Sequence, residues 1–179
     1  AAAFPAWART TPAERAGMLL KLADRLEAEA EAFAKLESRN CGKPPARALA
    51  DEMPAIIDCF RFFAGAARCL PGSAAGEYKS GYTSMVRRDP VGVVAAIAPW
   101  NYPLMMAAWK LAPALAGGNA VVLKPSEQTP LTTLKLATRL AEIFPKGVVN
   151  VVLGRGERVG APLVAHPGVS MVSRTGDVA

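Results

Sequence analysis

The sequence predicts an α/β fold, an incomplete Rossmann-like parallel sheet preceded by helices and a β arm. Three observations predict it. Apolar residues recur at helical spacing through the first part of the chain. A Gly-, Ser- and Pro-rich stretch from Pro71 to Tyr82 then leads into a β-prone run, Tyr82 to Arg88. From Val91 onward, short β-branched runs alternate with longer helical ones, the pattern of parallel strands joined by crossover helices and covered on both faces. The chain divides accordingly into 1–75 (helical), 76–90 (arm) and 91–179 (α/β).

Thr11-Pro12-Ala13-Glu14 is a capping box with proline at the first helical position. Ala16, Leu19, Ala23, Leu26, Ala30 and Phe33 follow at helical spacing, so one long amphipathic helix is expected, ending near Gly42. A second helical stripe runs through Ile56, Ile57, Phe60, Phe63 and Ala67, with Pro54 starting or kinking it. Arg87-Arg88 falls in the alternating β pattern. Strands are then expected at Val91–Ala98, Asn119–Lys124, Val148–Leu153 and Val169–Ser173, with helices at Leu104–Leu115, Leu131–Phe144 and Glu157–Ala165.

With 51% hydrophobic and 20% charged residues, 179 residues can bury a core. The longest apolar stretch, Val91 to Trp100, is far too short to span a bilayer, and no basic segment precedes a leader-like apolar run, so a cytoplasmic protein is expected. Cys41, Cys59 and Cys69 show no metal-ligand or disulfide spacing, which predicts a reducing compartment and no metal. The net charge of +6 raises the question of nucleic acid, but the basic residues are scattered among acids, and a solvated surface is the expectation. The chain opens Ala-Ala-Ala-Phe-Pro and stops at Thr-Gly-Asp-Val-Ala, directly after a strand-like run, so it is expected to be part of a larger domain.

In such sheets ligands bind beyond the carboxyl ends of the strands, so the residues after each strand carry the chemistry. After the first come Pro99-Trp100-Asn101 instead of a glycine-rich phosphate turn, which excludes an ordinary Rossmann hydroxy-acid dehydrogenase. After the second come Lys124-Pro125-Ser126-Glu127, an acid and a lysine that either grip a ribose diol or form a surface pair at a helix start. After the third, Gly154-x-Gly156-x-x-x-Gly160 is one residue longer than the dinucleotide fingerprint, and its backbone N–H groups could meet a pyrophosphate. Thr175-Gly176-Asp177 follows the fourth and faces the same crevice.

Together these segments resemble the aldehyde dehydrogenase superfamily. The resemblance runs through Pro90-Val91-Gly92-Val93, Ala98 to Pro103, Leu115 to Asn119, Lys124 to Leu131, Gly147 to Val152, the Gly154 turn and Thr175-Gly176, and extends to Trp7, Glu14-Arg15 and Gly42-Lys43-Pro44. It implies oxidation of an aldehyde to a carboxylic acid with NAD, by way of a thioester. The Asn101 amide would donate to the oxyanion formed when a cysteine thiolate attacks the aldehyde. Lys124 and Glu127 would hold the adenosine ribose, with Glu127 repelling a 2′-phosphate. Ala98, Pro99 and Trp100 would line the nucleotide crevice, and Gly156, Gly160, Thr175 and Gly176 would shape its adenine and pyrophosphate side. Asp177 stands where many relatives have serine, and Arg174 where the family is usually apolar.

The family's nucleophilic cysteine and general-base glutamate would lie beyond the last residue, and the isolated chain is expected to be inactive. Cys41, beside Gly42-Lys43, invites a lowered pKa but lacks a nucleophile segment, and Cys59 and Cys69 read as core or boundary residues. His166, before Pro167, reads as a helix-terminal residue. The runs Cys59 to Arg68 and Gly81 to Pro90 are most similar to gamma-aminobutyraldehyde and betaine aldehyde dehydrogenases. Tyr102 and Trp109 lie about two helical turns apart, where two rings could hold an ammonium group or simply pack in the core, and Glu52 could add a carboxylate. The 76–90 segment resembles the family's oligomerisation arm, which implies a homo-oligomer, dimer or tetramer. A noncatalytic dinucleotide-binding module would share Lys124 and Glu127 without needing the Pro-Trp-Asn turn.

Overall fold

The computed structural model describes residues 1–176, so Asp177 lies outside the described residues. The N-terminal part holds α1 (Phe4–Ala8), α2 (Pro12–Ala28), α3 (Ala30–Cys41), the helical turn α4 (Pro45–Arg47), a π-helical turn (Ala48–Glu52) and α5 (Met53–Arg68). The capping box starts α2: the Glu14 N–H donates to Thr11 Oγ1 at 3.2 Å, and the Thr11 N–H donates to the Glu14 carboxylate at 2.6 Å. Pro54 sits in the first turn of α5, directly after the π-helical turn.

The single long helix expected up to Gly42 is two helices. The backbone leaves helical geometry at Glu29 (φ −109°, ψ 13°), whose carboxylate meets Arg25 at 3.0 Å, Arg139 at 2.8 Å and Lys135 at 3.3 Å. Two of those cations stand on a helix more than a hundred residues later, and the bend brings α3 against it. Gly42 ends α3 in the left-handed region (φ 78°), where a side chain would be strained, and its N–H returns to the Ser38 carbonyl at 2.8 Å.

The stretch from Pro71 to Tyr82 is not all loop. β1 (Ser73–Lys79) pairs antiparallel with β2 (Tyr82–Val86), with register irregularities either side of Gly76. Cross-strand pairing here overrides the weak β propensity of a Ser-Ala-Ala-Gly segment. Arg87 and Arg88 lie past the end of β2, not within it, and Arg87 pairs with Asp89 at 2.7 Å.

The main sheet is parallel, in the order β5–β4–β3–β6, from β3 (Val93–Ile97), β4 (Ala120–Lys124), β5 (Val149–Val151) and β6 (Met171–Arg174). α6 (Pro103–Ala116) joins β3 to β4, α7 (Leu131–Ile143) joins β4 to β5, and a π-helical turn (Gly156–Gly160) running into α8 (Ala161–Ala165) leads to β6. The chain steps outward from β3 to β5 and then returns to the other side of β3, so the strand order reverses beside the carboxyl end of β3.

One core joins Trp7, Leu22, Leu26, Phe33, Phe60, Leu111 and Leu115 to Ala96, Val121 and Leu123 of the sheet. Arg15 and Trp7 stitch the N-terminal helices to the sheet: Arg15 Nε donates to the Ala116 carbonyl at 2.9 Å and Trp7 Nε1 to the Asn119 carbonyl at 3.1 Å. The expected cover on both faces is only partial. At the β6 edge both faces stay open: Met171, register partner of Val94 on the core side, and Val172, pointing to the other side, are exposed, as are Leu153 and Val164. Among the described residues no helix is long and apolar enough to cross a membrane.

Candidate functional site

The loops at the carboxyl edge are set from the opposite end of the strands. Asn119 Oδ1 accepts the Val91 N–H at 2.8 Å and the Gly92 N–H at 3.1 Å, and its Nδ2 donates to the Ala114 carbonyl at 3.2 Å, fixing the entries to β3 and β4 together. Ile97 and Lys124 are then register partners at the other end. The loop after β3 is further tied to the loop after β4, because Thr129 Oγ1 donates to the Trp100 carbonyl at 3.2 Å.

Asn101 is exposed in the wall of a cavity of about 660 Å³, with Trp100, Tyr102, Met105, Met106 and Trp109 as its apolar side. Tyr102 is the residue before α6 and Trp109 lies within it. Neither ring is core packing: Tyr102 is 45% and Trp109 54% exposed. Trp100 lines this same cavity, beside Asn101. The opposite wall is charged. Lys43 Nζ meets both Glu52 oxygens at 2.6 and 2.7 Å, and Glu37 at 3.6 Å, and it stands 4.8 Å from the centre of the Tyr102 ring. Glu52 is therefore a buried carboxylate already paired with Lys43, not one free to meet a substrate ammonium. Burial alone would lower the Lys43 pKa, but the Glu52 hydrogen bond and the Glu37 and Glu52 charges outweigh it and raise the pKa.

A second cavity, about 680 Å³, lies at the ends of β3, β4 and β6 and gathers Lys124, Glu127, Gly156, Gly160, Thr175 and Gly176. Lys124 is buried, and its Nζ donates to Glu127 Oε2 at 3.2 Å and to the Pro125 carbonyl at 3.1 Å. Glu127 is held below its usual pKa, first by its own backbone N–H and then by Lys124. Gly154 turns the chain out of β5 at φ +148°, where a Cβ would also collide with the Val159 side chain, so the turn requires glycine. Gly156 has open space where a side chain would stand. A lysine and an acid side by side, with glycine-bared backbone opposite, is a donor set that fits a ribose and a pyrophosphate. Ala98 is buried at the end of β3, and Arg174 closes β6 with its side chain in this cavity.

Asn101 and the Lys124–Glu127 pair thus line two different cavities, both beyond the carboxyl ends of the register-paired strands β3 and β4. Cys41 departs from expectation: burial raises its thiol pKa instead of the Lys43 neighbourhood lowering it, and the thiol donates to the Glu37 carbonyl at 3.0 Å. Cys59 is pushed up to about 11 by burial. His166 follows α8, and its Nδ1 accepts the Gly168 N–H at 3.0 Å.

Several residues were missed. Lys110 is buried, donates to Thr175 Oγ1 at 2.7 Å, and has its pKa lowered by that burial. A lone lysine within the apolar run Trp109-Lys110-Leu111-Ala112 was the signal. Glu37 interrupts the buried stripe four residues after Phe33 in the same way. Ile97 and Arg155 also line the second cavity.

The model of the aldehyde dehydrogenase family matches residues 1–179. A probable aldehyde dehydrogenase of Streptomyces coelicolor is 50% identical over 175 residues, covering 98% of this chain and 34% of that protein. The crystal structure of PnpE in complex with nicotinamide adenine dinucleotide is similar with a TM-score of 0.92 at 48% identity, over 96% of this chain and 35% of the other. A betaine aldehyde dehydrogenase from Staphylococcus aureus in complex with NAD+ is similar with a TM-score of 0.92 at 40% identity, over 96% of this chain and 35% of the other. The chain spans about a third of the length of the curated relatives it matches.

Proposed function

This chain belongs to the aldehyde dehydrogenase family, and we propose that it supplies the cofactor grip and the oxyanion donor of an enzyme that oxidises an aldehyde to a carboxylic acid with NAD. One observation carries the reading. Two loops leaving the register-paired ends of β3 and β4, tied through Thr129 and Trp100, present Asn101 on one side and Lys124 with Glu127 on the other. Lys124 and Glu127 hold the adenosine ribose hydroxyls, Thr175 and Gly176 border the adenine side, and the glycine turn at 154–160 admits the pyrophosphate. Glu127, held anionic, disfavours a 2′-phosphate and so favours NAD over NADP. Bound there, NAD supplies the acceptor for the hydride leaving the aldehyde carbon.

Asn101 donates to the aldehyde oxygen as negative charge develops on it. The attacking thiol is not assigned to Cys41 or Cys59, whose pKa values burial raises, nor to Cys69, exposed just past α5. It comes from outside these 179 residues, and the chain alone oxidises no aldehyde. Residues 91–179 serve as the NAD-binding part. Residues 76–90 serve as an oligomerisation arm, supported by the exposed side chains of Tyr82, Met85 and Val86, and residues 1–75 pack beside them. A cytoplasmic homotetramer fits this organisation.

For the substrate, an aminoaldehyde such as 4-aminobutanal is supported by the open Trp109 ring and by Asp51 in the same cavity. A second reading, an uncharged aldehyde, is favoured by Lys43, whose ammonium already covers the Tyr102 ring. One exposed cation–π face is worth about 0.5–1 kcal/mol, so the first reading predicts kcat/KM for 4-aminobutanal about two- to fivefold above that for butanal in the full-length enzyme, followed as NADH formation. A ratio at or below one selects the second. NAD binding without oxidation of any aldehyde selects a noncatalytic module.

A further inference from the structure

α6 begins with a deficiency. Tyr102 gives it no side-chain cap, its first turn holds no acidic residue, and Pro103 has no N–H to offer. The Leu104 N–H is its first orphan donor, and the positive end of a helix of 14 residues is left without a local counter-charge. The counter-charge arrives from α3. Glu37, 2% exposed, brings Oε1 to 3.4 Å from the Leu104 N–H.

That carboxylate is held from behind. Its Oε2 accepts the Thr132 hydroxyl of α7 at 2.5 Å, and Lys43 stands 3.6 Å from Oε1. Lys43 is bound more tightly to Glu52, which the π-helical turn carries inward. Glu37 is therefore balanced mainly by the Thr132 hydroxyl and the end of α6, as a buried carboxylate must be by some donor. Lys43, fixed by the two acids, lies over the Tyr102 ring. The residues at 102 and 104 are both gripped by this cluster, and they bracket the chain directly after Asn101.

We propose that Glu37 is a positioning residue for Asn101: with Lys43 and Glu52 behind it, it pins the start of α6 through the Leu104 N–H and the Tyr102 ring, and so sets where the Asn101 carboxamide points. The proposal rests on Asn101 as the oxyanion donor. Glu37 touches neither aldehyde nor cofactor; it acts through the backbone between Tyr102 and Leu104. Thr132, in turn, holds the carboxylate against the end of α6.

The test is a double-mutant cycle in the full-length enzyme, reading kcat and the KM for NAD separately. Glu37→Gln keeps the shape and removes the charge. It is expected to lower kcat roughly ten- to a hundredfold while leaving the KM for NAD within about twofold. Added to Asn101→Ala, it is expected to cost less than about twofold more, because the donor it positions is already gone. Glu37→Asp keeps the charge near Lys43 but withdraws the carboxylate from Leu104, and it gives an intermediate loss of kcat. This second variant carries the test if Glu37→Gln does not fold. Normal turnover in the Glu37 variants beside a slow Asn101→Ala overturns this proposal alone, as does a Glu37→Gln loss undiminished in the Asn101→Ala background. Normal turnover of Asn101→Ala overturns the reading of the site, and this proposal with it.

Discussion

Asn101→Ala is expected to lower kcat of the full-length enzyme by about 10²- to 10³-fold while the KM for NAD moves by less than about twofold. The size follows from what the carboxamide does. In the proposed role it is a donor fixed where charge develops, in a cavity with an apolar wall of Met105, Met106 and Trp109, and such a donor stabilises a transition state far more than a bound aldehyde. The selectivity follows from where it stands, because the Lys124–Glu127 pair lines a different cavity. Pre-steady-state measurement separates the chemical step from release. A loss confined to the KM for NAD would move Asn101 out of the oxyanion role.

Phe60→Ala is expected to destabilise the 179-residue chain by about 3–5 kcal/mol. Phe60 is fully buried on α5, which packs on both α2 and α6, so truncation opens a cavity between three helices that cannot collapse without moving one of them. Guanidinium unfolding followed by circular dichroism measures the loss. Phe62, two residues along the same helix and 64% exposed, is the internal control: Phe62→Ala is expected to cost less than about 1 kcal/mol. Equal losses at the two positions would contradict the assignment of α5's buried face.

Features set by near neighbours in the chain were legible in the sequence. The capping box at Thr11, the helical stripe of α5 and the four short apolar strands are each encoded within a few residues. Features set across the chain were not. The bend at Glu29 depends on Lys135 and Arg139, and β1 depends on β2 to pair a segment of poor β formers. In the site, the strand-end rule reached Asn101, Lys124 and Glu127, because a parallel sheet delivers its carboxyl-end loops to one edge. It could not reach the pairing of Glu52 with Lys43 or the buried ammonium of Lys110 against Thr175, both of which arise from contacts between distant segments. Glu37 and Lys110 were nonetheless visible as charged residues in stripes that are otherwise apolar.

In the proposed function, the cavity of Asn101 and the cavity of Lys124 and Glu127 receive the two ends of one NAD molecule. A crystal structure of the full-length enzyme with NAD bound tests it most directly. The adenosine ribose hydroxyls are expected within hydrogen-bond distance of Lys124 Nζ and the Glu127 carboxylate, with the nicotinamide ring reaching the cavity of Asn101. Adenosine seated away from Lys124 and Glu127, or a nicotinamide on a surface that Asn101 does not share, would contradict it.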